Sequence, residues 1–385
     1  MYGYFMSSMY AAFQIRAMCP VRKTLLSCAC LFSILLLSAC SFNNPFLSSP
    51  QPAPPSLAKP KNITLLVPLE KGKAQSGQAV RNGFLAAYYY AKQTVSDAPA
   101  IHVIDTNGGN ILNLYQQAVS KGSDFIVGPL TKQNVQALAS QNHLTVPTLA
   151  LNALDDAKII KNLYQFGLLQ QDEAEQVAMR ARQNGFSRAI ILTPSGNWGT
   201  DIANAFQKKW RKLGGTVASN WAYPPRGNMA AMVKNALNGS ATKGDMVFLA
   251  AFPPHARQIR PLITFYGGRN LPVYATSLVY VGVPSEQDHD LDGIIFADMP
   301  WIIGPDTPAW SQIRSNIQTM DSGSYDRYPR LYALGIDAYH LTYAFNRLSL
   351  GVDGATGKLT LDSDQHIHRT LNWAKFVDGK PQQIP

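Results

Sequence analysis

The chain has 385 residues, 46% of them hydrophobic, and a net charge of +10, which is long enough for one large or two medium cores. Its four cysteines (Cys19, Cys28, Cys30 and Cys40) all lie at or before position 40. The chain beyond Cys40 therefore has no thiol for a disulfide, a zinc site or a covalent nucleophile.

In chain order, Arg22 and Lys23 precede an apolar run from Leu25 to Leu37, and Leu37-Ser38-Ala39-Cys40 closes it with small residues before a cysteine. The run has the length of a signal h-region and is too short to span a membrane. It matches a bacterial lipoprotein signal, so residues 1–39 are expected to be removed and Cys40 to become the lipid-bearing first residue. Residues 1–17 carry little charge, and Met18 is the expected true start. Several acyl chains on one cysteine would make anchoring effectively permanent. Ser41, rather than an aspartate, points to the periplasmic face of the outer membrane. An exported, tethered protein meets no nucleic acid; anionic lipid, cell-wall polymer or an acidic protein surface suit its basic balance. Residues 40–61 form the lipidated cysteine and a linker with Pro45, Pro50, Pro52, Pro54, Pro55 and Pro60. At ~3.1 Å per residue, such a spacer reaches on the order of 60 Å.

From Ile63 apolar strands alternate with amphipathic helices. The pattern predicts strands at Ile63–Leu69, Ile101–Thr106, Phe125–Gly128 and Val146–Leu151, with helices between them. A second set starts near Gln171, with Asp172 and Glu173 in a first helical turn and Gly185 after its end. Further strands are expected at Ala189–Leu192, Thr216–Tyr223, Met246–Ala251, Val273–Thr276 and Ile294–Ala297. A helix carries Leu331, Leu334, Ala338, Leu341, Phe345 and Leu348, and Lys358–Leu361 and Leu371–Val377 close the chain as strands. Lys208-Lys209-Trp210-Arg211-Lys212 reads as a solvated helix face. Strands apolar throughout imply mostly parallel sheets covered on both faces. The expected fold is α/β and two-lobed, with 62–165 plus 306–350 as the first lobe and 166–305 plus 351–385 as the second.

Catalytic and metal motifs are missing or incomplete. Ser240 to Lys243 fits Ser-x-x-Lys without a following Lys-Thr-Gly. Asp288 to Gly293 opens like a calcium loop, but its twelfth position is Met299, so it reads as an acidic turn. His366 and His368 would share one strand face without a third ligand. No catalytic residue, metal or cofactor is expected. Ligands of two-lobed α/β bodies settle at the carboxyl ends of strands. The loops there offer Glu70, Asn107, Leu130, Thr131, Asn152, Ser195, Asn197, Trp198, Phe252 and Ser277 as cleft candidates, although Thr131 also stands where a helix N-cap would.

The stretches Gly77 to Phe84 and Val127-Gly128-Pro129-Leu130 resemble type I periplasmic binding proteins. Asp298-Met299-Pro300-Trp301, Arg330 to Tyr339, and Gly354 to Phe376 are similar more specifically to the LppC/LpoA lipoproteins, outer-membrane activators of class A penicillin-binding proteins. The resemblance runs from about residue 62 to the end. It implies a two-lobed, type I periplasmic-binding-protein-like fold and a non-enzymatic regulator of peptidoglycan synthesis. Its partner would be a class A penicillin-binding protein in the inner membrane; peptidoglycan or a small cleft ligand are further candidates. Longer members carry a helical-repeat domain ahead of this one, where this sequence has residues 41–61. The alternative is a membrane-tethered solute-binding protein for an amino acid or cell-wall fragment. Leu130 and Leu151, where polar loop residues would help, argue against it.

Overall fold

The computed structural model describes residues 57–69, 75–155, 158–238, 243–267, 270–321, 323 and 325–385. The expected signal, Cys40, Glu70 and Ser240 lie outside them.

The first sheet is built from β1 (Asn62–Val67), β2 (Ala100–Asp105), β3 (Phe125–Val127), β4 (His143–Ala150) and β5 (Lys161–Phe166). They are parallel neighbours in the order β2-β1-β3-β4-β5. Helices α1 (Gln75–Lys92), α2 (Ile111–Ser120) and α3 (Lys132–Ala139) connect them. The chain then builds a second sheet through α4 (Gln170–Gln183), β6 (Arg188–Pro194), α5 (Asn197–Lys212), β7 (Thr216–Tyr223), α6 (Met229–Asn238), β8 (Met246–Leu249), α7 (Pro253–Gly267), β9 (Val273–Ala275) and β10 (Ile294–Asp298). These strands are also parallel, ordered β7-β6-β8-β9-β10. Helices α8 (Pro300–Ile303), α9 (Pro308–Met320) and α10 (Pro329–Ala344) lead back to the first lobe. Strands β1, β3, β6 and β8 are almost wholly buried, as sheets covered on both faces require.

The C-terminal segment corrects the expected division. Strands β11 (Val352–Asp353), β12 (Lys358–Leu361) and β13 (His366–Thr370) join the first sheet, with β13 parallel to β5. Only β14 (Asn372–Val377) and β15 (Lys380–Ile384) join the second, with β14 antiparallel to β10 and β15 antiparallel to β14. Burial decides this: Leu359, Leu361 and Ile367 pack in the first core, whereas Ala374 and Phe376 pack in the second. Residues 351–385 are therefore shared between lobes and divided at Leu371.

Two devices hold the first lobe together. Helices α1 and α10 approach until a Cβ on Gly83 would lie 2.1 Å from the Tyr332 carbonyl oxygen, and one on Gly335 2.1 Å from that of Val80. Only glycine permits this seam. On α10 the wholly buried Asp337 accepts hydrogen bonds from Ala355 N (2.7 Å), Thr356 N (2.7 Å) and Thr356 Oγ1 (2.6 Å). The loop before β12 is thereby latched to the helix.

In the second lobe Phe206 stacks on Phe248 at 4.1 Å, and buried Trp210 donates from Nε1 to the Thr216 carbonyl at 2.7 Å. The basic cluster accordingly divides: Trp210 faces the core, while Lys208, Arg211 and Lys212 are exposed in the last turns of α5. There their charge complements the helix dipole. The linker meets the body before β1. Leu57 N donates to Asn346 Oδ1 (2.9 Å), Asn346 Nδ2 returns to the Leu57 carbonyl (3.3 Å), and Lys59 pairs with Asp97 (3.3 Å).

Candidate functional site

The parallel topology brings the carboxyl ends of β1 to β4 and of β6, β8 and β9 to the loops that carry the cleft candidates. In the first lobe these side chains mostly serve the loops themselves. Asp105 Oδ1 accepts from Leu69 N (2.8 Å), Asn107 N (3.0 Å) and Asn107 Nδ2 (3.0 Å), tying the ends of β1 and β2 together. Asn152 Nδ2 donates to the Leu130 carbonyl (3.1 Å) and its Oδ1 accepts from Ala153 N (2.9 Å), so Leu130 and Asn152 do meet, as a brace between loops. Thr131 is the N-cap of α3, its Oγ1 accepting from Asn134 N at 3.4 Å.

In the second lobe Ser195 and Asn197 are exposed at the entry to α5. Trp198 (40% exposed) and Phe252 (47% exposed) stack at 5.5 Å with planes 13° apart. Phe252 also borders a cavity of about 440 Å³, together with Tyr280 and Val281 from its own lobe and Tyr328 to Leu331 at the start of α10. The cavity is mainly aromatic and aliphatic, and both lobes wall it. Ser277 is buried; its N–H donates to Glu173 Oε2 at 3.0 Å. The candidates thus fall into a first-lobe brace, a second-lobe aromatic pair and a buried serine.

Sequence reasoning missed the charges behind Ser277. Glu173, on the first turn of α4, and Asp298, ending β10, are both buried. Burial pushes the carboxyl of Glu173 above the usual carboxylate range against the pull of Arg369. It does the same at Asp298 against the pull of Arg330. Each acid lies beside an arginine more than thirty residues further along the chain, so spacing gave no signal.

The remaining motifs resolve as local structure. Ser285 opens the 288–293 turn with a capping box, and Asp288 pairs with Arg257 at 2.7 Å. His368 stands between Asp172 (3.9 Å) and Asp362 (2.7 Å), and these partners raise its pKa to about 9. Among the described residues no group of three or more His, Cys, Asp and Glu is placed to hold a metal ion. No described helix is long and apolar enough to cross a membrane.

Two mostly parallel sheets, flanked by helices and joined by three crossings, define a two-lobed type I periplasmic-binding-protein-like body. A putative branched-chain amino acid ABC transporter protein from Rhodospirillum rubrum shares the fold, with TM-score 0.69, 18% identity and coverage of 84% of this chain and 99% of that one. The chain belongs to the LppC putative lipoprotein family, whose model matches residues 56–379. The penicillin-binding protein activator LpoA of Vibrio antiquarius (strain Ex25) is 29% identical over 354 residues, covering 83% of this chain and 58% of that protein. Among solved structures, the LpoA (YraM) C-domain from Haemophilus influenzae, described as a regulator of PBP1A, has TM-score 0.70 and 26% identity, covering 84% of this chain and 100% of that one. This chain spans about half the length of the curated relatives it matches.

Proposed function

We propose that this protein activates a class A penicillin-binding protein by direct contact, without catalysing a reaction itself, from a lipid anchor on the periplasmic face of the outer membrane. The observation that carries this reading is the match to the whole length of a domain described as a regulator of PBP1A. The cleft supports it: the side chains of Asn107, Thr131 and Asn152 are engaged in internal hydrogen bonds, whereas an amino-acid binder needs such groups turned to its ligand. The lipoprotein pattern ending at Cys40 supplies the anchor.

Purified class A synthase immobilised on a sensor surface should bind the chain saturably and at a defined stoichiometry. A signal no greater than that of an unrelated basic protein would overturn the reading. For the anchor, Cys40→Ser should abolish incorporation of an alkyne-tagged fatty acid and move the chain from the membrane to the soluble periplasmic fraction. Labelling that survives the substitution would rule out Cys40 as the lipidated residue.

A further inference from the structure

The chain passes between the two sheets three times: at Gly167–Leu169 between β5 and α4, at Met299 between β10 and α8, and at Leu371 between β13 and β14. A two-lobed α/β body opens and closes by letting a few residues at such crossings absorb changes in backbone angle. Here each crossing has a buried charge within four residues of it: Glu173, Asp298 and Arg369. A fourth charge, Arg330, comes from the start of α10, the helix seamed to α1 in the first lobe.

These groups form one network across the junction. Arg330 Nε donates to Asp298 Oδ1 at 3.1 Å, and its Nη2 pairs with Asp298 Oδ2. The same Nη2 reaches two second-lobe carbonyls, Ser277 at 3.0 Å and Tyr280 at 2.9 Å. Ser277 then links the two ion pairs, because its N–H goes to Glu173, whose Oε1 stands 3.5 Å from Arg369 Nη2. Gln176 of α4 completes the brace, donating from Nε2 to the Arg369 carbonyl (2.9 Å) and accepting from Leu371 N at 2.9 Å. Rotating one lobe against the other pulls Arg330 from Asp298 and from both carbonyls. With Arg369 drawn from Glu173 as well, the two carboxylates would keep only the N–H groups of Ser277 and Met299 and be buried without a countercharge, the costly way to break a buried pair.

We propose that Glu173, Asp298, Arg330 and Arg369 form an interlobe clamp that fixes the angle between the lobes, so that the body presents one rigid surface and does not work as a clamshell. The clamp acts within this chain, whichever partner is engaged. A surface spanning both lobes would be preorganised and would lose little entropy on docking.

The chain's few cysteines make the test clean. In full-length protein with Cys19, Cys28, Cys30 and Cys40 replaced by serine, Asn113→Cys on α2 and Asp201→Cys on α5 place one exposed spin label on each lobe. Double electron–electron resonance should give one narrow distance distribution, unchanged by added amino acids or muropeptides. Arg330→Met should broaden it. The double variant Asp298→Leu/Arg330→Met removes both charges together, leaves neither unpaired, and should also broaden it while keeping the native circular dichroism. A broad or two-peaked distribution before any clamp substitution overturns the proposal. So does a folded double variant as narrow as the unsubstituted clamp.

Discussion

Replacing Asp337 with alanine tests the first-lobe latch. The carboxylate is wholly buried and receives three donors at 2.6–2.7 Å, the backbone N–H groups of Ala355 and Thr356 and the Thr356 hydroxyl. Hydrogen bonds to a charged group contribute about 1.5–3 kcal/mol each, and a buried donor left unpaired costs about 1–3 kcal/mol. The Thr356 hydroxyl can rotate towards another acceptor, but the two N–H groups are fixed by the loop. Asp337→Ala should therefore destabilise the body by about 3–5 kcal/mol, among the larger effects of single substitutions. Asp337→Asn keeps an acceptor for Ala355 N and turns an amide N–H₂ towards Thr356 N, so its cost should be intermediate. Urea unfolding followed by tryptophan fluorescence measures the loss as a lower midpoint at unchanged slope. Hydrogen exchange should show faster opening at residues 354–357. A loss below about 1 kcal/mol for the alanine variant would refute the latch, since that is no more than the net worth of one ordinary hydrogen bond.

Gly335→Ala forces a Cβ to within 2.1 Å of the Val80 carbonyl oxygen, and overpacking of this kind costs about 1–3 kcal/mol; an unchanged urea midpoint would contradict the α1–α10 seam. His368 has its pKa raised from 6.5 to about 9 by Asp172 and Asp362, so its contribution to stability is full below pH 6.5 and is lost as pH rises through 9. The stability difference between wild type and His368→Gln should shrink to nothing by about pH 10, and a constant difference would show that charge is not its source. Asn346→Ala removes both bonds to Leu57; limited proteolysis should then cut near 57–60 faster while the rest of the body stays resistant, and equal rates would mean that Asn346 does not secure the linker's entry.

The sequence made the alternation of strands and helices legible wherever strands were apolar. Strands β7 and β12 fall at their expected limits. Strand β5 escaped notice because Lys161, Asn162 and Gln165 break its apolar run; Gln165 is buried, its Oε1 accepting from Leu154 N at 2.7 Å. Helix α7 was hidden by its prolines, yet Pro253 and Pro254 occupy a first turn, where backbone N–H groups have no partner to lose. The lobe membership of β11 to β13 was not readable, because sequence order does not say which sheet edge a late strand will join. The loop candidates rest on topology alone. Trp198 and Phe252 meet as a stacked pair, the side chains of Thr131 and Asn152 bond to their own loops, and Ser277 is buried. The interlobe ion pairs were out of reach of any local pattern, since Glu173 meets Arg369 and Asp298 meets Arg330 only once both sheets have formed. Three of those four residues, with Asp337, lie within the segments that carry the resemblance to the LppC/LpoA lipoproteins.

The most direct test of the account is the rate at which a purified class A penicillin-binding protein from the same cell polymerises and cross-links lipid-linked disaccharide-peptide, with and without the purified chain. The account predicts a saturable rise in at least one of the two rates, and no product from the chain alone. Rates that stay unchanged at saturating concentrations of the folded chain would contradict it.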